Sequence, residues 1–117
     1  MQIAIHALNF SLTDALRNHC EQRCRYALTA YREHVQRVVV RLSSDSRTEK
    51  CCQVQVVMGG LADVVVEDIE TNLYAAIGRA STRAGRTVGR RLARRRDRAR
   101  LSGLHDSAAI DEQPATI

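Results

Sequence analysis

The chain of 117 residues has no tryptophan, one phenylalanine and three tyrosines. Tyr26, Tyr31 and Tyr74 fall at helix positions, so no aromatic platform is available for stacking single-stranded bases. Long apolar runs are missing, which excludes a membrane span. The opening residues, Met1 to Ile5, lack a basic segment leading into an apolar one; no secretory signal is visible and a cytoplasmic protein is expected. Cysteine is present but not as a framework: Cys20 and Cys24 lie one helical turn apart, and Cys51 and Cys52 are neighbours that point to opposite faces of a strand. No CxxC spacing or second histidine cluster joins His19, Cys20 and Cys24 in a metal site, so the four read as buried thiols. A nucleophile elbow, a phosphate loop and a metal-binding helix are also missing. Neither an enzyme nor a cofactor or small-molecule substrate is expected.

What is present is arginine, seventeen residues against a single lysine. Ten of them (Arg79, Arg83, Arg86, Arg90, Arg91, Arg94, Arg95, Arg96, Arg98 and Arg100) crowd into residues 79–100 with one acid, Asp97. That segment carries a formal +9, against −1 for residues 1–78 and −3 for residues 101–117, an asymmetry that points to a polyanionic partner. A helix turns about 100° per residue, so Arg79, Arg83, Arg86, Arg90 and Arg94 form one stripe. Leu73, Ile77, Ala80, Ala84 and Val88 keep the same period roughly 130° away, giving one packed side and one charged side. Beyond Leu92 the apolar set runs out. Arg91 and Arg95 then fall on the formerly buried side, which predicts a free basic rod over the last turns of a helix from Asn72 to Arg98, about 40 Å long.

The rest of the chain alternates between two periods. Residues 2–8 are a short apolar strand. Ser11 and Asp14 resemble a capping box opening a first helix over 12–31, which buries Leu12, Leu16, Cys20, Cys24, Ala27, Leu28 and Tyr31 and shows Arg25 and Arg32 on a flank. His19 and His34 read as surface or edge residues. From Val35 to Leu42 the period is two, with Val38, Val40 and Leu42 on one face and Arg37, Val39 and Arg41 on the wetted other. A second strand over 51–58 puts Cys52, Val54, Val56 and Met58 together. A three-residue turn, Gly59 to Leu61, then pairs Met58 with Ala62, Val56 with Val64 and Val54 with Val66. Asp68 and Glu70 precede the long helix, whose positive N-terminus favours them, and Thr71 or Asn72 can cap it. The expected fold is α+β, in the order βαβββα, with a four-stranded mixed sheet and both helices on one face, a two-layer sandwich like that of double-stranded RNA-binding domains. Residues 1–98 form that domain, and 99–117, with Gly103, Pro114 and scattered acids, read as a flexible acidic tail.

The opening MQIAIHALNFSLTDALRNH, the segment YREHVQRVVVRL and above all LYAAIGRASTRAGRTVGRRLARR are similar to the short ribosome hibernation-promoting factors, the family of the Y protein or ribosome-associated inhibitor, once called sigma-54 modulation protein. The resemblance covers about residues 1–98. It implies the same βαβββα fold and a translation inhibitor that occupies the messenger and transfer RNA channel of the small ribosomal subunit, touching 16S rRNA phosphates in idle, stressed or stationary-phase cells. Carried onto this chain, the RNA-binding positions are Arg79, Arg83, Arg86, Arg90 and Arg94, with Arg91 and Arg95 beside them and Arg25 and Arg32 from the first helix. No membrane is implied, and the free protein is expected to be a monomer. Asn72 and Gly78 stand where the family commonly has aspartates. Gly78, Gly85 and Gly89 share one line of the helix at a cost of roughly 1 kcal/mol each relative to alanine, which allows close backbone approach to the first helix or to RNA, close packing being the favoured reading. Two other readings use the same residues: a general binder of double-stranded or structured RNA, and a protein-interaction module using Val39, Val57 and Val65 on the open sheet face.

Overall fold

In the computed structural model, which describes the backbone of residues 1–108 and the side chains of residues 1–100, the elements follow the order expected from the two periods. They are β1 (Gln2–Ala7), α1 (Asp14–Leu28, continued by a 3-10 turn over Thr29–Tyr31), β2 (Val35–Ser44), β3 (Lys50–Met58), β4 (Val64–Glu70) and α2 (Leu73–Ala108). The sheet order is β1-β2-β3-β4, with β1 parallel to β2 and the other pairs antiparallel. The expected α+β architecture of four strands and two helices is present.

Strand alternation decides which residues meet the helices. Ile5, Val38, Val40, Leu42, Cys52, Val54, Val56, Met58, Val64 and Val66 line the covered face, and they pack against Leu16, Cys20, Cys24 and Leu28 of α1 and Ala76, Ile77, Ala80, Ala84 and Val88 of α2. Each buried Val, Leu or Ile of this set contributes about 1.5–3 kcal/mol. The register of β3 on β4 is the one expected, Val56 opposite Val64 and Val54 opposite Val66. Its turn is longer than expected: the ladder stops at Val56 and Val64, so Met58 and Ala62 do not pair and residues 59–63 connect the strands. Gly60 takes φ +76 there, a conformation that suits a residue without Cβ.

Four further points concern single positions and one helix end. Thr13, not Ser11, caps α1, its hydroxyl accepting from the Leu16 N–H at 3.2 Å. Val39 lies on the open face yet is only 7% exposed, because it sits mid-sheet between Ala4 and Gln55. His19, expected at the surface or an edge, is half-buried against Tyr74, ring centroids 4.7 Å apart, and its Nε2 has no partner. Finally, α2 runs ten residues past Arg98 and takes in 99–108 of the stretch read as tail; the remainder, 109–117, lies outside the described residues. At 36 residues the helix is about 54 Å long, and the molecule measures 61 × 25 × 18 Å.

The cysteines are all free and buried. Cys52 faces the core and Cys51 the open side, as their adjacency requires. Cys51 Sγ donates to Glu67 Oε2 at 3.2 Å. Burial, with that acceptor second, pushes the Cys51 thiol up to about 11, while a hydrogen bond with Cys24 together with burial raises Cys20. Both thiols stay protonated and act as small apolar groups.

Candidate nucleic-acid interface

The start of α2 is set by Asn72, whose Oδ1 accepts from the N–H groups of Tyr74 at 2.7 Å and Ala75 at 3.3 Å. From there the apolar residues seat the helix on β3 and β4, and the glycines seat it against α1. A Cβ on Gly85 would lie 2.5 Å from the Ala27 carbonyl oxygen, and one on Gly89 would lie 2.5 Å from the Tyr31 hydroxyl. These two glycines therefore serve close packing with α1, as the glycine line suggested. Gly78 does not: its Cβ would meet only Arg23 Nη2, at 3.6 Å.

This seating divides seven of the ten arginines of α2 into three groups; of the other three, Arg100 Nη2 lies 2.9 Å from Asp97 Oδ1. On the flank toward β4, Arg79 Nε lies 3.1 Å from Glu70 Oε2 and 3.6 Å from Asp68 Oδ1. Arg83 Nη1 donates at 2.8 Å to both Asp68 Oδ2 and the Glu67 carbonyl. Asp68 and Glu70 are thus matched to arginine side chains about two and three turns into α2, and not to the helix N-terminus as expected. The second group sits over the β3–β4 turn. Arg91 Nη1 donates to the carbonyls of Ala62 at 2.8 Å and Asp63 at 3.1 Å, and Arg95 Nη1 reaches the Gly59 carbonyl at 3.5 Å. These two were expected to belong to a free rod. They instead tie the helix to the turn through its carbonyls.

The third group has no acid partner among the described residues. Arg86, Arg90 and Arg94 are exposed, with Arg90 Nη2 donating only to Thr87 Oγ1 at 3.3 Å. Arg94 borders a small open hollow with Leu61, Ala62, Arg91 and Arg98. Arg86 lines an open groove of about 440 Å³ between the helices, walled by Arg23, Tyr26, Ala27, Thr82 and Gly85. The groove continues toward Gly78 and Arg79 as a second hollow of about 530 Å³ that again includes Arg23 and Arg86.

Arg23 was not among the residues expected here. Its Nε is buried without a partner, and Nη2 reaches only Thr82 Oγ1, at 3.5 Å. A signal for it exists in the sequence: Arg23 lies one turn before Ala27, the residue that meets the glycine line, so the α1 position facing α2 is its own. The expected Arg25 is turned about 200° away around α1 and pairs with Glu21 at 4.0 Å. Arg32 closes the 3-10 turn by donating to the Thr29 carbonyl at 2.8 Å. The structure does not bring these two into the groove. The charge of Arg23 is felt at His19, whose pKa is lowered from 6.5 by burial first and by Arg23 second. Among the described residues no group of three or more His, Cys, Asp or Glu side chains is placed to hold a metal, and no helix is long and apolar enough to cross a membrane.

The four-stranded sheet thus carries a long helix with a row of cations that no acid meets among the described residues. The family model for sigma 54 modulation protein / S30EA ribosomal protein matches residues 3–96, and the chain belongs to that family, which is ribosome-associated and not a family of enzymes. The chain is similar to the N-terminal domain of Protein Y from Thermus thermophilus, with 31% identity and a TM-score of 0.68 over 77% of this chain and 98% of that one. A ribosomal subunit interface protein from Coxiella burnetii shares the fold, with a TM-score of 0.71 over 80% of this chain and 99% of that one at 13% identity. No curated protein matches the sequence.

Proposed function

We propose that this protein is a cytoplasmic translation inhibitor, monomeric when free, that docks on the small ribosomal subunit and holds idle ribosomes inactive by filling the messenger and transfer RNA channel. One observation carries this reading: on a domain of a ribosome-associated family, the exposed Arg86, Arg90 and Arg94, with the half-buried Arg23 beside them, form a ridge without acid partners among the described residues. Unmatched cations at helical spacing cost stability in the free protein and gain it back on a polyanion. The contacts are to 16S rRNA phosphates and not to bases, since a guanidinium matches a phosphate in a two-pronged fashion and the chain has no stacking platform. Arg25 and Arg32 are outlying contacts.

The ten arginines of residues 79–100 overstate the charge available, because Arg79 and Arg83 are matched by acids and Arg91 and Arg95 hold the β3–β4 turn. Four to six phosphates then remain to be neutralised, which corresponds to a log-log salt slope of roughly −4 to −5. Co-sedimentation of the purified protein with small subunits across a salt series measures that slope. Protein that stays in the supernatant at low ionic strength would falsify the reading. Binding that persists unchanged at high salt would favour apolar docking through Val57 and Val65 instead.

A further inference from the structure

β4 carries two acids on the side of the sheet that faces α2, and both are spent on the arginine stripe. Asp68 is only 12% exposed and meets Arg79 and Arg83 together. Glu70, 31% exposed, meets Arg79. Glu70 has another cation in register, Lys50 on β3, but Lys50 Nζ turns away to Ser44 Oγ at 2.8 Å and the Ser46 carbonyl at 2.6 Å. The arrangement is fixed at both ends, since Arg83 is also held by the backbone carbonyl of Glu67. The helix thus presents two unlike lengths of charge on one stripe, a cancelled one at Arg79 and Arg83 and an open one at Arg86, Arg90 and Arg94.

We infer that Asp68 and Glu70 are specificity-determining residues: an internal counter-charge that occupies Arg79 and Arg83 and so denies them to polyanions that are attracted by charge alone. The inference rests on the ribosome-binding reading above. Non-specific binding to RNA is almost wholly electrostatic, so it scales with the number of free cations. Docking in a shaped site draws in addition on contacts that do not depend on those two arginines. Withholding two cations therefore weakens every unwanted RNA more than it weakens the intended site, which is specificity obtained by an unfavourable element against competitors.

The test compares D68N/E70Q with the parent, and with D45N/E49Q, which makes the same change in net charge on the loop between β2 and β3. Two probes are used: a short RNA duplex of arbitrary sequence, followed by fluorescence anisotropy, and small ribosomal subunits, followed by sedimentation. D68N/E70Q is expected to bind the duplex about three- to tenfold tighter, with a salt slope steeper by about one to two. Its gain on subunits is expected to stay below about threefold, so that the ratio of the two affinities falls. E70Q alone, which leaves the Asp68–Arg83 contact in place, is expected to move the ratio in the same direction by less, and it decides the matter if the double variant unfolds. A duplex gain no larger than that of D45N/E49Q, or equal gains on both probes, overturns the inference and leaves the ribosome reading intact. A parent protein that binds the duplex but not the subunits overturns both.

Discussion

Two lengths of α2 carry arginine at the same four-residue spacing and behave differently. Arg79 and Arg83 lie over β4, where Asp68 and Glu70 meet them. Arg86, Arg90 and Arg94 continue the stripe, and no acid reaches them among the described residues. The difference does not lie in the helix. It comes from β4, which places Asp68 and Glu70 beside the first turns of α2 and ends its ladder at Val64. A count of charges along a helix is therefore an upper limit on the charge a partner meets, and the neighbouring strand decides how much is left.

The strongest way to break the comparison is to neutralise each length in turn. R86Q/R90Q is expected to weaken binding to small subunits on the order of tenfold to a hundredfold and to flatten the salt slope by about two. The quadruple change R79Q/R83Q/D68N/E70Q removes as many arginines, but with their acids, and is expected to shift affinity less than about threefold, since exposed pairs contribute little net energy. Equal losses from both variants would show that the flank is not cancelled.

A smaller effect tests how α1 and α2 are brought together so that Arg23 faces Arg86. G85A forces a Cβ against the Ala27 carbonyl, a backbone atom that cannot swing aside, and is expected to destabilise the fold by about 1–3 kcal/mol in urea unfolding. G78A would meet only Arg23 Nη2, at an ordinary van der Waals distance of 3.6 Å, and is expected to stabilise by up to about 1 kcal/mol, from helix propensity. Were G85A neutral, the close contact of the helices would not be what holds the groove.

The smallest effect uses His19 as a reporter of the groove. Its pKa in the fold is below 6.5, so the folded protein prefers the neutral ring. The contribution of His19 to stability is complete above about pH 6.5 and declines as pH falls from there toward the lowered folded value, where the unfolded chain takes up the proton first. R23Q is expected to bring the His19 pKa part of the way back toward 6.5, as followed by NMR titration of the ring protons, while the quadruple change on the flank leaves it in place. A His19 that does not respond to R23Q would mean that burial alone sets its pKa.

Much of this is legible in the amino-acid sequence. The change of period from 3.6 to two at Val35, the pairing of Val54 with Val66, the parting of Cys51 from Cys52 and a cap at Thr71 or Asn72, found at Asn72, all follow from local stereochemistry, which each residue carries with it. The family resemblance was legible too, in the segment that follows Leu73. Less legible were the elements whose outcome depends on a distant strand or turn. Thr13 took the cap from Ser11 because the helix began two residues later. Arg91 and Arg95 were claimed by the carbonyls of residues 59–63, a turn whose length no local signal set. Arg23 was less legible because its importance lies across a helix contact that Gly85 and Gly89 permit.

The amino-acid sequence by itself determined the elements, the side of each strand that faces the core and the excess of positive charge on the last helix, since these depend on periods of a few residues and on composition. Only the tertiary structure decided which of those charges remain open. Ion pairing depends on distances between side chains far apart in the chain, and the 2.8 Å contact of Arg83 with Asp68 exists only because β4 and α2 lie side by side.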